Sequence, residues 1–190
     1  MTQYNIDLFP TTIKHVSNFI NADEINKILI LINNLNINTH SAFLGEAVSS
    51  YKAKKNDNFF KGSFLEKKLN LIILEYCNDL GIKDCFIEQS WVNIQKPNSE
   101  LLKHNHSPSP ISGGLYLKVD DKSNKIFFHN PNPFIRIMNA IKSTYNNNSY
   151  SYIKPKNGDL ILFPGWLEHS SNRELNQSQE RIVLSFNTIY

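Results

Sequence analysis

Three histidines are the residues of this sequence best suited to bind a metal ion. His104 and His106 are separated by one residue, and His169 follows an aromatic turn at 164–168. Because successive side chains of an extended segment alternate faces, His104 and His106 point the same way. Each buried imidazole needs partners for its ring nitrogens, and a metal ion accepts a lone pair from a neutral ring. The pattern indicates a metal site, or else a polar edge strand with solvated histidines.

Arg181 is the second candidate for chemistry, because it opens the last apolar run of the chain. If residues 181–187 form a strand, Arg181 shares one face with Ser185. An arginine that points into an apolar interior is costly unless it meets an anion, and its planar fork fits a carboxylate. The sequence therefore predicts an anion site at Arg181. The alternative is an arginine at the mouth of a barrel, paired with an acidic side chain of the protein.

The elements that must position these side chains change in character near residue 85. Before it, apolar residues recur at helical spacing and predict helices at 22–35 and 64–80. After it, short runs rich in β-branched and aromatic residues are separated by turn-forming clusters. The predicted helix caps are Asn21 with Glu24, Ser63 with Glu66, and Gly81 at a C-terminal end. The predicted strands are 86–95, 114–119, 125–128, 159–163 and 181–189.

This order of helices and strands predicts a mainly β fold with N-terminal helices. We expect a double-stranded β-helix, that is, a cupin-like jelly-roll barrel with supporting helices packed on one sheet. One domain is expected over 1–190, in which 1–84 form a helical lead-in and 85–190 form the jelly-roll core. A short helix within 133–142 and a loop at 146–150 are expected between the strands.

Composition narrows the class of protein. The 190 residues include 20 basic and 17 acidic side chains, and the net charge of +3 is too small to indicate a nucleic-acid or anionic-membrane partner. No apolar run approaches the roughly 18–20 residues that span a bilayer, and residues 1–7 show no signal peptide. Cys77 and Cys85 match no zinc or disulfide pattern, and Cys77 is expected to be buried. A cytoplasmic protein is expected, and its oligomeric state is not specified by composition.

The order of the chemical residues resembles a known family. A His-x-His pair, a third histidine, and then an arginine and a hydroxyl residue on the last strand resemble the 2-oxoglutarate/Fe(II) oxygenase superfamily. The likeness is to prolyl-4-hydroxylase-like members, and within them to oxygenases of marine bacteria and their phages. It spans about residues 86–190. The resembling stretches are 91–94, 104–117, 158–169 and 181–187.

The resemblance implies a role for each matching residue. His104 and His169 would bind iron, and His106 stands where most of the superfamily has Asp or Glu. Arg181 would bind the distal carboxylate of 2-oxoglutarate. The same cosubstrate pocket would be completed by Tyr116, Ser185 and Asn93. The implied reaction is a hydroxylation that uses O₂, Fe(II) and 2-oxoglutarate and acts on a small-molecule or peptide substrate.

His106 departs from the usual pattern of two histidines and one carboxylate. A neutral imidazole removes one negative charge from the metal's ligands and leaves the choice between Fe(II) and Zn²⁺ open. Glu168 could supply a carboxylate, but as the neighbour of His169 on an extended segment it is expected to face away.

Two other functions are compatible with these residues. One is a cupin-like three-histidine dioxygenase or isomerase without 2-oxoglutarate, in which Arg181 binds the substrate's own carboxylate. The other is a non-enzymatic module with a structural zinc ion. In every case the loops 42–60 and 142–152 are expected to select the substrate, with the first as a candidate lid.

Overall fold

The computed structural model describes residues 1–6, 8–52, 57–137, 140–144 and 146–190. Residues 53–56 and 145, which belong to the two loops expected to select the substrate, lie outside this described part. The same holds for residues 138–139 of the expected short helix. Within the described residues, no helix is both long and apolar enough to cross a membrane.

The first helix, α1, spans Ala22–Ile32 and ends earlier than predicted. Its capping box is confirmed, because the Asn21 side chain accepts from the Glu24 N–H at 3.0 Å and the Glu24 carboxylate accepts from the Asn21 N–H at 3.0 Å. Asn33 is the C-cap and is followed by Asn34. Asparagine side chains compete with the helix for backbone hydrogen bonds, so the helix stops here although the apolar pattern continues.

The second helix, α2, spans Phe64–Leu80 as predicted, with Ser63 and Gly81 as its caps. The expected capping box is only half correct. The Ser63 side chain accepts from the Glu66 N–H at 3.4 Å, but the Glu66 carboxylate accepts from the Gly62 N–H at 2.6 Å. The reason is that the Ser63 N–H already donates to a backbone carbonyl of the preceding turn.

The strands before Phe86 have only two or three residues each, and the long strands begin there. In chain order they are β1 (Lys14–Val16), β2 (Asn38–Thr39), β3 (Phe43–Leu44), β4 (Ala47–Ser49), β5 (Phe86–Gln95), β6 (Glu100–Leu101), β7 (Ile111–Lys118), β8 (Ile126–His129), β9 (Tyr150–Ile153), β10 (Leu160–Pro164), β11 (His169–Ser170) and β12 (Arg181–Ile189). The expected short helix is a 3₁₀ helix at Pro133–Ile137. The expected loop at 146–150 gives way to β9, which begins at Tyr150.

Most of the described strands belong to one antiparallel sheet. Its seven strands lie in the order β1-β10-β7-β12-β5-β4-β2. A three-stranded sheet has the order β11-β8-β9, and β3 pairs with β6. The predicted mainly β fold with N-terminal helices is therefore confirmed.

Side-chain alternation along β12 separates the two faces of the large sheet. On one face, Leu184 and Phe186 are fully buried in a core that they share with α1 and α2. On the other face, Val183 packs with Phe128 of β8 in a second apolar cluster between the sheets. Arg181 has the same strand parity as Val183, so it faces the interior between the sheets.

Asp159 ties the N-terminal segment to the strands that form this interior. It is 2% exposed, and its carboxylate accepts from the Lys156 N–H at 2.9 Å and the Asn18 N–H at 3.1 Å and lies 3.0 Å from His15 Nε2. Burial raises the pKa of Asp159, but these hydrogen bonds outweigh it and hold the pKa below its usual value of 3.8. The Asp159 carbonyl in turn accepts from the Tyr116 N–H at 2.9 Å.

We expect Asp159→Asn to lower the free energy of unfolding at pH 7 by about 1–3 kcal/mol, because a neutral amide replaces a buried carboxylate that accepts several hydrogen bonds. The folded-state pKa lies below the unfolded one, so this contribution is fully present above the unfolded pKa and is lost as the pH falls through the folded pKa. Urea unfolding over a series of decreasing pH values should show a difference between the two proteins that shrinks on acidification. A constant difference would contradict the assignment.

Candidate active site

The structure brings His104, His106 and His169 together between the two larger sheets. His104 and His169 lie opposite each other in an isolated antiparallel bridge, with N–H to carbonyl distances of 3.1 and 2.9 Å. The nitrogen atoms that could coordinate a metal all lie within 4.8 Å of one another. The three imidazoles therefore form the expected cluster. The alternative, a polar edge strand with solvated histidines, is not what the structure shows.

Backbone carbonyls fix the orientation of two of the three rings. His104 Nδ1 lies 2.8 Å from the Leu102 carbonyl oxygen, and His169 Nδ1 lies 3.0 Å from the Leu167 carbonyl oxygen. Because a carbonyl only accepts, Nδ1 carries the proton in each ring and the Nε2 lone pair is free. In this tautomer Nε2 is the atom that can bind a divalent metal ion. The donor set fits such an ion.

Burial keeps the three imidazoles neutral. Desolvation is the largest cause in each case: it lowers the pKa of His104, lowers that of His169 well below its usual value, and lowers that of His106 to about 3. The His106 ring lies between Trp91 and Phe163, at centroid distances of 5.6 and 6.4 Å. A ligand to a metal must be deprotonated, so these rings are in the form that binds.

A tight turn before His169 positions His106 as well. The Gly165 carbonyl accepts from the His106 N–H at 2.7 Å, and the Gly165 N–H donates to the Pro110 carbonyl at 3.2 Å. A Cβ atom on Gly165 would lie 2.1 Å from the Ser109 carbonyl oxygen, so only glycine allows this approach. Glu168, by contrast, forms an exposed ion pair with Lys103 at 2.8 Å, as its expected outward direction requires.

We expect Gly165→Ala to lower the free energy of unfolding by about 1–3 kcal/mol, because the new methyl group meets backbone rather than a flexible side chain. The strain lies on the segment that holds His106, so metal affinity should fall as well. Chemical denaturation and a metal titration measure the two effects. Gly62→Ala is a useful contrast. Gly62, unlike Gly165, has a positive φ of 78°, so alanine should lower stability there through backbone strain, but a Cβ at Gly62 meets no described atom within 4 Å and metal affinity should be kept.

Arg181 is buried without an acidic partner among the described residues. It is 5% exposed, its Nη1 donates to Gln95 Oε1 at 2.6 Å, and its guanidinium carbon lies 5.3 Å from the centroid of the Tyr116 ring. Its Nε has no hydrogen-bond partner, and none of the ion pairs among the described residues includes Arg181. The alternative, in which an acidic side chain of the protein pairs with Arg181, is therefore not found among the described residues.

A cavity of about 280 Å³ joins Arg181 to the three histidines. Burial lowers the pKa of Arg181, and the neighbouring Tyr116 partly offsets this effect. Because a guanidinium remains protonated in proteins, the cavity contains a buried positive charge that the described side chains do not neutralise. Such a cavity selects an anion. All seven residues expected from the sequence line it: His104, His106, His169, Arg181, Tyr116, Ser185 and Asn93.

Asn93 lies in the cavity wall, as the resemblance implied, and its amide is held by neighbouring side chains. Its Oδ1 accepts from the Ser49 hydroxyl at 2.7 Å and its Nδ2 donates to the Ser185 hydroxyl at 3.2 Å. Both ends of the amide are therefore engaged within the protein. Asn93 orients Ser185, whose hydroxyl proton is left to donate into the cavity.

Sequence reasoning assigned no role to several residues that line the cavity, including His40, Trp91 and Gln95, whereas Tyr51, which also lines it, belongs to the loop 42–60 that was expected to select the substrate. Gln95 carried a usable signal, because it lies two residues after Asn93 on one strand and so shares its face. His40 directly follows the short strand β2, which pairs with β4, and β4 in turn pairs with β5, so no local pattern in the sequence indicated its place.

A comparison with protein families assigns the class. Residues 89–187, more than half of the 190 residues, match the model of the family described as "Putative 2OG-Fe(II) oxygenase". The chain belongs to this family, and the resemblance of the sequence to the 2-oxoglutarate/Fe(II) oxygenase superfamily is confirmed. It is an enzyme, a 2-oxoglutarate-dependent oxygenase, and Fe(II), 2-oxoglutarate and O₂ are the metal, cosubstrate and oxidant of its class.

Solved structures share the fold at low sequence identity. An oxidoreductase of the 2OG-Fe(II) oxygenase family from Burkholderia pseudomallei is 14% identical, with a TM-score of 0.65 over 94% of this chain and 84% of that chain. HygX from Streptomyces hygroscopicus, with nickel and 2-oxoglutarate bound, is 9% identical, with a TM-score of 0.62 and coverage of 94% and 82%. A Pseudomonas putida prolyl-4-hydroxylase is 12% identical, with a TM-score of 0.60 and coverage of 94% and 92%. These likenesses confirm the double-stranded β-helix. A search of curated protein sequences gave no match.

Proposed function

We propose that this oxygenase is a hydroxylase in which His104, His106 and His169 hold Fe(II) and Arg181 binds the distal carboxylate of 2-oxoglutarate. One observation carries the proposal: a single cavity contains three neutral imidazoles and a buried arginine that no described acid neutralises. A metal ion and a dicarboxylate complete the hydrogen bonding and the charge of that cavity. The imidazoles alone would suit a structural zinc ion, but such a site gives no reason to bury Arg181.

The bound metal and cosubstrate supply the oxidising chemistry, in which O₂ and 2-oxoglutarate are converted with loss of CO₂ to succinate while a substrate C–H becomes C–OH. The residues of the chain orient the participants. Arg181 presents a planar pair of donors to the distal carboxylate, and Ser185 adds a hydroxyl donor oriented by Asn93. Val183 and Phe163, also in the cavity wall, exclude water from the reacting groups.

The substrate side of the cavity is a wall of rings. His40 and Tyr51 lie 5.1 Å apart, Tyr51 and Trp91 lie 5.1 Å apart, and Trp91 reaches His106 at 5.6 Å, all between ring centroids. A wall of this kind supports apolar contact with a small molecule or with one side chain of a peptide. We propose that the group to be hydroxylated lies against it.

We also propose that residues 1–190 act as one domain. The support is that α1 and α2 are buried against the face of the large sheet opposite the cavity, in one core with β7, β10 and β12. The helical segment then serves as the outer layer of the barrel core rather than as a separate unit.

We expect His104→Ala and His169→Ala to lower Fe(II) affinity by more than about 100-fold, because each removes an oriented imidazole ligand and leaves an unfilled position. Anaerobic Fe(II) titration followed by metal analysis measures this loss. His15→Gln is the matched control, since His15 is bound to Asp159 and does not line the cavity. His106→Asp should keep the metal, because a carboxylate is an equally suitable ligand for iron. Full metal occupancy in both alanine variants would contradict the proposed ligand set.

We expect Arg181→Met to weaken 2-oxoglutarate binding by about 10–100-fold with the Fe(II) content unchanged, since one bidentate, charge-assisted contact is lost. Anaerobic calorimetry on the Fe(II)-loaded protein measures the affinity. Arg173→Met is the control, because Arg173 lies on the Tyr150 ring outside the cavity. If the iron-loaded wild-type protein does not bind 2-oxoglutarate at all, the cupin-like alternative replaces this proposal.

A further inference from the structure

Gln95 is the residue that holds Arg181 in the cavity. The two lie directly opposite each other in the pairing of β5 with β12. Gln95 is 1% exposed, and its Oε1 accepts from Arg181 Nη1 at 2.6 Å. A buried contact of this length between adjacent strands restricts the guanidinium to one orientation.

The acceptor that Gln95 offers is neutral. A carboxylate at the same distance in a desolvated site would form a strong ion pair and cancel the charge of Arg181. Glu180, the acid next to Arg181 in the sequence, is held away: its two carboxylate oxygens bind Lys96 at 2.7 Å and Lys118 at 2.9 Å. The arginine is thus fixed in place while its charge stays available to a ligand.

One donor nitrogen on each of Arg181 and Gln95 has no hydrogen-bond acceptor in the described structure. Arg181 Nε and Gln95 Nε2 are both buried without a hydrogen-bond partner in the described structure. More than about 90% of buried polar groups in proteins have a hydrogen-bond partner. Two donors without a partner, on two side chains that are hydrogen-bonded to each other, therefore indicate the place of a ligand that accepts hydrogen bonds. A carboxylate, with two oxygens and no donor of its own, has the complementary chemistry.

We propose that Gln95 is a positioning residue that keeps Arg181 oriented and uncompensated, and that it thereby sets the preference of the cavity for oxo acids with a distal carboxylate. This inference rests on the proposed function, because it assumes that the oxo acid binds beside Arg181. Gln95 acts through Arg181, so its effect is on ligand selectivity rather than on the metal.

The test compares two five-carbon oxo acids, 2-oxoglutarate and 2-oxopentanoate, which lacks the distal carboxylate. Both dissociation constants are measured by anaerobic calorimetry on the Fe(II)-loaded protein. Gln95→Glu should lower the preference for 2-oxoglutarate by at least about tenfold, because the introduced carboxylate pairs with Arg181 and repels the ligand. Gln95→Met, which removes the Oε1 acceptor of Arg181 together with the Nε2 donor and adds no charge, should lower the preference by about three- to tenfold. In both variants the affinity for 2-oxopentanoate should change by less than about threefold.

Gln89→Glu is the matched control, since Gln89 is on the same strand and face but does not line the cavity. An unchanged preference in Gln95→Met overturns the inference, and so does an equal loss for both oxo acids, which would mean a purely structural role. If Gln95→Glu does not fold, Gln95→Met decides alone. The proposed function fails separately: the wild-type protein would then bind the two oxo acids equally, or Arg181→Met would leave the preference intact.

Discussion

The two-residue period of β12 is the constraint on which the rest of the structure depends. The strand lies at the centre of the large sheet and is buried on both faces. A shift of one residue in its pairing would move Leu184 and Phe186 into the cavity and Arg181 into the helical core, where no described acid could receive it. The apolar core and the anion site therefore specify the same register.

The candidate site joins segments that are distant in the chain. His104 follows β6, His169 begins β11, and the bridge between their backbones is formed outside any long strand. The side chains in this region are polar but are kept in their uncharged forms by desolvation. Arg181 is the exception. Its charge is not neutralised by Glu180, the acid adjacent in sequence, because Lys96 and Lys118 bind that carboxylate. The positive charge of Arg181 thus remains available to an anionic ligand.

Much of this arrangement could be predicted from the sequence because it follows periodic rules. The parity of His104 with His106, the face shared by Arg181 and Ser185, and both long strands β5 and β12 needed only alternation. The short strands could not be found this way, since two or three residues carry no period and form through pairing with distant partners. The engagement of Asn93 by Ser49 depends on such a strand, β4, so its orienting role could be seen only in three dimensions.

The hydrogen bonds from His104 and His169 to main-chain carbonyls have an evolutionary consequence. Each ring is oriented by the carbonyl two residues earlier, at positions 102 and 167, and every amino acid supplies that carbonyl. Sequence drift at these positions leaves the acceptor in place as long as the strands remain paired. The orientation of the two rings therefore depends on the histidines themselves and on the path of the backbone, and little on the identity of the residues at positions 102 and 167.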